Sequence, residues 1–353
     1  MAADLSTPPA PDRQMAATAT SASPAHRIGR LLGWDTAIIG VLAAVLLISS
    51  ATVDGFGNGT NAVFIVLDLI PLALIALPMT LIIVTGEIDL SVASTVGLTC
   101  AVMGKLWNEG MAIETIIPLC LVLGLVLGAL NGFFITVLGL PSLAVTIGTL
   151  GLFRGLAFVV LGDGAVADFP VQYTNWATGT LSGTSIPNVL IPLLVLALLF
   201  GVLLHATGFG RALFAAGANQ EATRFTGIRV LAMKFWLYVL SGGISALAGV
   251  YWTLRYASAR ADNAQGLELT VVTAVLLGGV SIFGGKGTLW GVLAGAVLLV
   301  SLQNALRLEN FSGESLNLVV GGLLITSVLA PNLVNAIGSA FGRRHRRATR
   351  PVG

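Results

Sequence analysis

The sequence predicts an all-α polytopic membrane protein of about ten transmembrane helices, and three observations carry that prediction. Of 353 residues, 56% are hydrophobic and only 10% are charged, with a mean hydropathy of +0.92. Such a chain has too little polar surface to enclose a soluble core. Its apolar residues fall into runs near the roughly 20 residues that a spanning helix needs. Its basic residues collect in a few of the segments between runs, as the positive-inside bias requires.

The first five apolar runs cover 36–53, 62–84, 90–106, 112–138 and 143–161, and five more cover 188–205, 231–253, 268–283, 288–306 and 316–337. The eighth is short and the second carries Pro71 and Pro78, so eight or nine full spans with broken or re-entrant pieces also satisfy the pattern. Residues 1–33 are rich in Ala, Ser, Thr and Pro without an apolar centre, and read as a disordered cytoplasmic tail. Residues 34–338 form the membrane domain, and 339–353, with its RRHRR cluster, form a basic cytoplasmic tail suited to anionic headgroups.

Ten spans with a cytoplasmic start place thirteen of the eighteen Lys and Arg residues inside: Arg13, Arg27, Arg30, Arg211, Arg224, Arg229, Lys234, Lys286, Arg343, Arg344, Arg346, Arg347 and Arg350. Lys105, Arg255, Arg260 and Arg307 fall outside, Arg154 lies within a span, and the outer loop 162–187 has no basic residue. Both termini are therefore expected in the cytoplasm. The net charge of +2 carries no suggestion of nucleic acid.

Several chemistries are disfavoured. In FGGKGT, Lys286 is followed by Gly where the motif needs Ser or Thr, so no phosphate-binding loop is spelled and the chain is not expected to bind ATP in that way. His26, His205 and His345 are the only histidines, and with Cys100 and Cys120 they complete no metal set; both cysteines lie in apolar runs and read as small buried hydrophobes. No cofactor is expected in this chain, and a membrane enzyme would need converging His, Cys or acidic clusters.

Ionisable groups inside a membrane cost roughly 2.5–3.5 kcal/mol unless paired or solvated. Asp68 and Arg154 sit at similar depth, about 9–11 Å from the outer ends of their runs at 1.5 Å per residue. They are expected to form an ion pair between helices or to line the outer mouth of a solute path. Asp89 and Ser91 are placed to cap the helix that follows, and the break around Pro71, Pro78 and Gly86 frees backbone groups to meet a polar solute. Asn131, Thr146, Thr149 and Asn304 are polar positions within apolar runs and join the candidate path.

The segment 207–230 is a polar island of 24 residues between apolar runs, with Arg211, Glu221, Arg224 and Arg229. On one helix over 214–226, Phe214, Ala218, Ala222 and Phe225 share an arc with Glu221 at its edge, a small ridge suited to a partner's groove. Gly217 and Gly227 bracket it. The loops 162–187 and 256–267 are the candidate outer docking platform, where Arg255 and Arg260 are placed to meet acidic residues of a partner.

Five ordered motifs resemble one family: TGEIDLSVAS at 85–94, GLPSLAVTIGTLGLFRG at 139–155, GFGR at 208–211, AGANQEATRFTGI at 216–228 and LLGGVSIFGGKGTLWGVLAG at 276–295. Over 69–329 the chain resembles the permease subunits of ribose-, xylose- and rhamnose-type ABC importers. Glu87 and Ala93 stand where relatives commonly carry Gly, and Thr270 where Asp is common. The resemblance implies a permease paired with a second, identical or different, permease in the bacterial cytoplasmic membrane. It also implies separate cytoplasmic ATPase subunits that bind the ATP, an extracytoplasmic sugar-binding protein, and alternating-access import of a pentose or deoxyhexose. It places a coupling helix over 217–228, with Gly217, Asn219, Glu221, Ala222, Arg224 and Gly227 as ATPase-facing residues. An ion-coupled secondary transporter is the alternative, for which coupling carboxylates deep in the membrane would be expected.

Overall fold

The computed structural model describes residues 34–329. The tails expected at 1–33 and 339–353, the cytoplasmic termini and the end of the tenth run lie outside the described residues. Thirteen helices and one small sheet make up the rest: α1 (Trp34–Thr52), α2 (Gly59–Val84), α3 (Val92–Asn108), α4 (Ile113–Thr136), α5 (Ser142–Leu161), β1 (Ala165–Val166), α6 (Val171–Thr178), α7 (Leu190–His205), α8 (Gly208–Ala218), α9 (Gln220–Phe225), α10 (Val230–Tyr256), β2 (Ala259–Arg260), α11 (Leu267–Leu277), α12 (Leu289–Leu308) and α13 (Gly313–Leu329).

The all-α class stands, and the expected count of about ten spans is not reached among the described residues. Among the described residues six helices, α1, α2, α4, α5, α10 and α12, are long and apolar enough to cross a membrane, or seven if α7 and α8, bent by 64°, are one span. The third run folds as the 17-residue α3, and the eighth as α11 of only 11 residues. At 1.5 Å per residue α11 reaches about 16 Å, roughly half a hydrocarbon core.

Helix α2 is apolar on every side, and such a helix belongs in the centre of a bundle. From Leu69 to Val84 every residue is buried, with α7, α10, α11 and α12 packed around it. Pro71 and Pro78 lie inside it without breaking it. Proline removes an N–H, leaving the carbonyl four residues earlier unpaired. For Pro71 that carbonyl is Leu67, and the Tyr251 hydroxyl of α10 donates to it at 2.9 Å. The break comes after the prolines, at residues 85–91, where Gly86 takes φ +81°.

Helix α10 packs most extensively on α4, and glycines explain how closely. A Cβ at Gly128 would strike the Tyr238 carbonyl, and one at Gly242 would strike the backbone of Gly124 and Gly128. The two backbones touch directly, the small-residue packing that bilayer helices use in place of hydrophobic attraction. Gly278, Gly291 and Gly295 do the same between α11 and α12. Helix α5 packs on α3, and α1 on α12. Large apolar side chains of α5 and α7 face outward, among them Ile147, Val159, Leu194 and Leu198, as a lipid-facing surface requires.

Asn61 and Asn304 donate to each other at 2.9 and 3.0 Å, joining α2 to α12. Of the alternatives open for Asn304, path or pairing, its amide is used for pairing. Thr146 and Thr149 turn back onto the carbonyls of Ser142 and Val145 in their own helix. Cys100 and Cys120 are free and buried.

Candidate functional site

The polar island folds as two short helices and not as the single helix expected over 214–226. Thr207 caps α8 by accepting from Gly210 N–H at 3.2 Å. At Asn219 the backbone turns extended (φ −159°, ψ 104°), and its side chain accepts from Ala222 N–H at 2.9 Å, starting α9. Asn has a strong preference for this capping role, and its side chain competes with the backbone ladder of a continuing helix. The arc through Phe214, Ala218, Ala222 and Phe225 therefore does not exist: Phe214 is half-buried beside the His205 ring, 6.3 Å between centroids, and Phe225 is 92% exposed.

Helix α9 presents Glu221, Ala222, Arg224 and Phe225 to the exterior, with Asn219 also exposed. Thr223 is buried on the opposite side and donates to the Asn219 carbonyl at 2.8 Å. Gly227 takes φ +86° and ends the helix, a conformation that glycine adopts without a Cβ penalty. Gly217 does not bracket the element. It lies in α8, where a Cβ would collide with the Val84 carbonyl and Gly285 N, beside the 2.9 Å bond from Gly285 N–H to Val84 O. One residue thus brings α8, the end of α2 and the loop at 281–288 to a common point. In that loop Phe283 is 80% exposed and Lys286 is exposed.

From α9 a chain of polar contacts runs into the bundle. Lys234, near the start of α10 and 3% exposed, donates to Gln220 Oε1 of α9 at 2.7 Å and to Glu87 Oε1 in the break after α2 at 2.5 Å. Two residues on, Asp89 is 2% exposed and fully engaged. Its Oδ1 accepts from Ser91 N–H at 3.0 Å and Ser91 Oγ–H at 2.6 Å, and its Oδ2 from Ser241 Oγ–H of α10 at 2.9 Å. Asn131 of α4 donates to Ser91 Oγ at 2.8 Å. Asp89 thus orders the entry to α3 through Ser91 and ties three segments together, but the expected cap does not form: Ser91, at the N-cap, gives its hydroxyl to Asp89 and accepts no helix N–H with its side chain. Sequence reasoning placed Lys234 in the cytoplasmic loop and missed its partners. Its signal was available: a lysine in the apolar stretch VLAMKFWLY must be paired.

The far end of the bundle revises the outer candidates. Asp68 and Arg154 do not pair, because α5 packs on α3 and not on α2. Asp68 meets Arg255 at 3.6 Å, Arg307 at 3.4 Å and the Tyr256 hydroxyl at 3.4 Å. Arg154 donates to the carbonyls of Ala261 at 2.6 Å, Asn263 at 2.9 Å and Ala93 at 3.2 Å, pinning the 256–267 loop to α3. Arg255 is held by Asp68 and covers the rings of Phe64 and Tyr256, so it is not a free docking charge. Arg260 is the exposed one and binds Asp262 through two bonds of 2.8 and 2.9 Å. This fork holds the Asp262 carboxyl below the usual carboxylate range. The loops 162–187 and 256–267 meet here, with Ala165 opposite Arg260 and Val166 opposite Ala259 in the antiparallel β1–β2 pair.

Residues 61–329 match the family described as "Branched-chain amino acid transport system / permease component". Curated relatives include the Autoinducer 2 import system permease protein LsrD of Enterobacter sp. (strain 638), 33% identical over 308 residues, covering 86% of this chain and 94% of that protein. The protein of the same name from Yersinia enterocolitica is 33% identical over 317 residues, covering 87% and 94%. No solved structure matches the chain.

Proposed function

The chain belongs to this family of transport-system permease components, and from that premise we propose that α9 is the element through which separate ATPase subunits drive solute import. The membrane location is that of a multi-pass protein of the bacterial cytoplasmic membrane. The α9 end faces the cytoplasm in this proposal, as the basic residues Arg211, Arg224, Arg229 and Lys286 there require. Two permease copies, an ATPase pair that holds the ATP, and an extracytoplasmic binding protein complete the assembly. The solute is a small hydroxylated molecule of the sugar class, pentose or deoxyhexose or the furanone-type sugar derivative autoinducer 2 carried by the named relatives.

One observation carries the reading most of the way: a short capped helix exposes Phe225 at 92% beside Glu221 and Arg224, while its first residue, Gln220, is bonded to buried Lys234. An exposed aromatic flanked by charges suits a groove on a partner protein. The contacts behind it give a displacement of α9 a route to the break after α2 and to α10. Asn219, Glu221, Ala222 and Arg224 surround Phe225 on the gripped surface, and Gly217 and Gly227 set its position.

The test is ATP hydrolysis by the purified permease and ATPase subunits, with and without binding protein. Phe225→Ala is expected to weaken ATPase binding about 30-fold, the loss of a hot-spot side chain worth roughly 2 kcal/mol. Glu221→Ala is expected to lower solute-stimulated hydrolysis in the same direction. Uptake that proceeds without ATP, or unchanged ATPase binding by Phe225→Ala, would refute the proposal.

A further inference from the structure

At the end of the bundle opposite α9 lies an open cavity of about 430 Å³ between the 256–267 loop and helices α2, α10, α12 and α13. That volume is within the range of small-molecule sites, about 300–1,000 Å³. Its chemistry is unusual for a helix bundle surface. Trp252 and Tyr256 stand one turn apart on α10, their rings tilted at 5.4 Å, and both face the cavity. Amide side chains reach it from three separate elements: Asn263 and Gln265 from the loop, Gln303 from α12 and Asn317 from α13.

Asn263 donates to the Ser258 carbonyl at 3.3 Å, whereas the amides of Gln265, Gln303 and Asn317 have no hydrogen-bond partner among the described residues, although Gln303 is half-buried. An amide offers two donors and one acceptor, so it pairs with hydroxyls in either sense. The lining charges cancel, since Asp68 and Asp262 are matched by Arg260 and Arg307. A charged solute would find no uncompensated partner here, and a purely apolar one would leave the amides unpaired. The rings supply flat apolar surface for the C–H face of a small ring.

We propose that this cavity is a binding site for a neutral, polyhydroxylated small solute, with Gln303 and Asn317 as its selecting residues and Trp252 and Tyr256 as its platform. The inference deepens the import reading and rests on it only for the side of the membrane that the cavity faces. The cavity then receives the solute after its release by the binding protein. Asp68 takes its place there as a rim residue, held by Tyr256 and Arg307 through hydrogen bonds of 3.4 Å that are long enough to be exchanged for a solute hydroxyl.

The experiment uses the full chain in nanodiscs with its ATPase subunit. Gly313→Cys introduces a thiol at an exposed lining position with open space around it, whereas Cys100 and Cys120 are buried and react slowly. Labelling by a membrane-impermeant maleimide is followed with autoinducer 2 or D-ribose present and the binding protein absent. The expected result is that at least one of the two solutes slows labelling several-fold. Adding Gln303→Ala is then expected to raise the protecting concentration about 3- to 10-fold, the loss of one neutral hydrogen bond. Gln303→Asn, which keeps the amide, should lie between. Labelling unaffected by both solutes, or slowed only in a parallel sample to which the binding protein is added, would overturn the proposal. ATP hydrolysis by the attached subunit, measured on the same sample, separates the two readings: its absence refutes ATP-driven coupling, while protection decides the cavity.

Discussion

Lys234 is where a single side chain decides most. It is 3% exposed and divides its donors between Glu87 and Gln220, so its removal leaves a carboxylate in the break after α2 without its counter-charge. Breaking a buried pair from one side costs about 3–5 kcal/mol, whereas replacing both partners by apolar residues is often neutral. Glu87 retains 20% of its side-chain exposure, which places this pair at the lower end. Lys234→Met is therefore expected to lower the thermal unfolding midpoint of the detergent-purified protein markedly. Glu87→Leu together with Lys234→Met should recover most of that loss but not solute-stimulated ATP hydrolysis. A double variant as unstable as Lys234→Met would show that the pair is not what stabilises this end. The sequence displayed both residues but could not join them, since 147 positions separate them. Asp68 teaches the same lesson in reverse: its depth matched that of Arg154, yet Arg255 and Arg307 are the cations that reach it.

Helix α9 is the element whose form depends most on one cap. Six residues are too few to hold helical structure on propensity alone. Asn219 both interrupts α8 and accepts from Ala222 N–H. Asn219→Ala is expected to cost about 1 kcal/mol, seen as roughly five-fold faster hydrogen exchange of the 221–226 amides by the rule that 1.4 kcal/mol is a factor of ten. Unchanged exchange would show that packing of Thr223 alone holds α9. A helical period applied across 214–226 joined two helices into one because periodicity does not register a capping residue in the middle of a polar stretch. The stop at Gly227 was legible, because positive φ is a local property of glycine.

For the molecule as a whole, stability in the membrane rests on how closely helices approach. Gly128→Leu pushes a side chain into the Tyr238 backbone, and overpacking typically costs about 1–3 kcal/mol or more. Gly151→Leu on α5 has open space around it and serves as the control. The first is expected to lower the unfolding midpoint in detergent, and the second to leave it near the native value. Equal midpoints would mean that the α4–α10 contact is not a principal source of stability. The sequence by itself determined the helical membrane class, the positions of the apolar runs, the polar island and the family, because hydropathy, caps and motifs are properties of neighbouring residues. Only the tertiary structure decided that α11 is a half-length helix, that Arg154 serves backbone carbonyls, that Lys234 links α9 to Glu87, and that Trp252, Gln303 and Asn317 share one cavity. Each of these depends on which face of a helix meets which neighbour, and that is settled by backbone approach at glycines and by the packing of segments far apart in the chain.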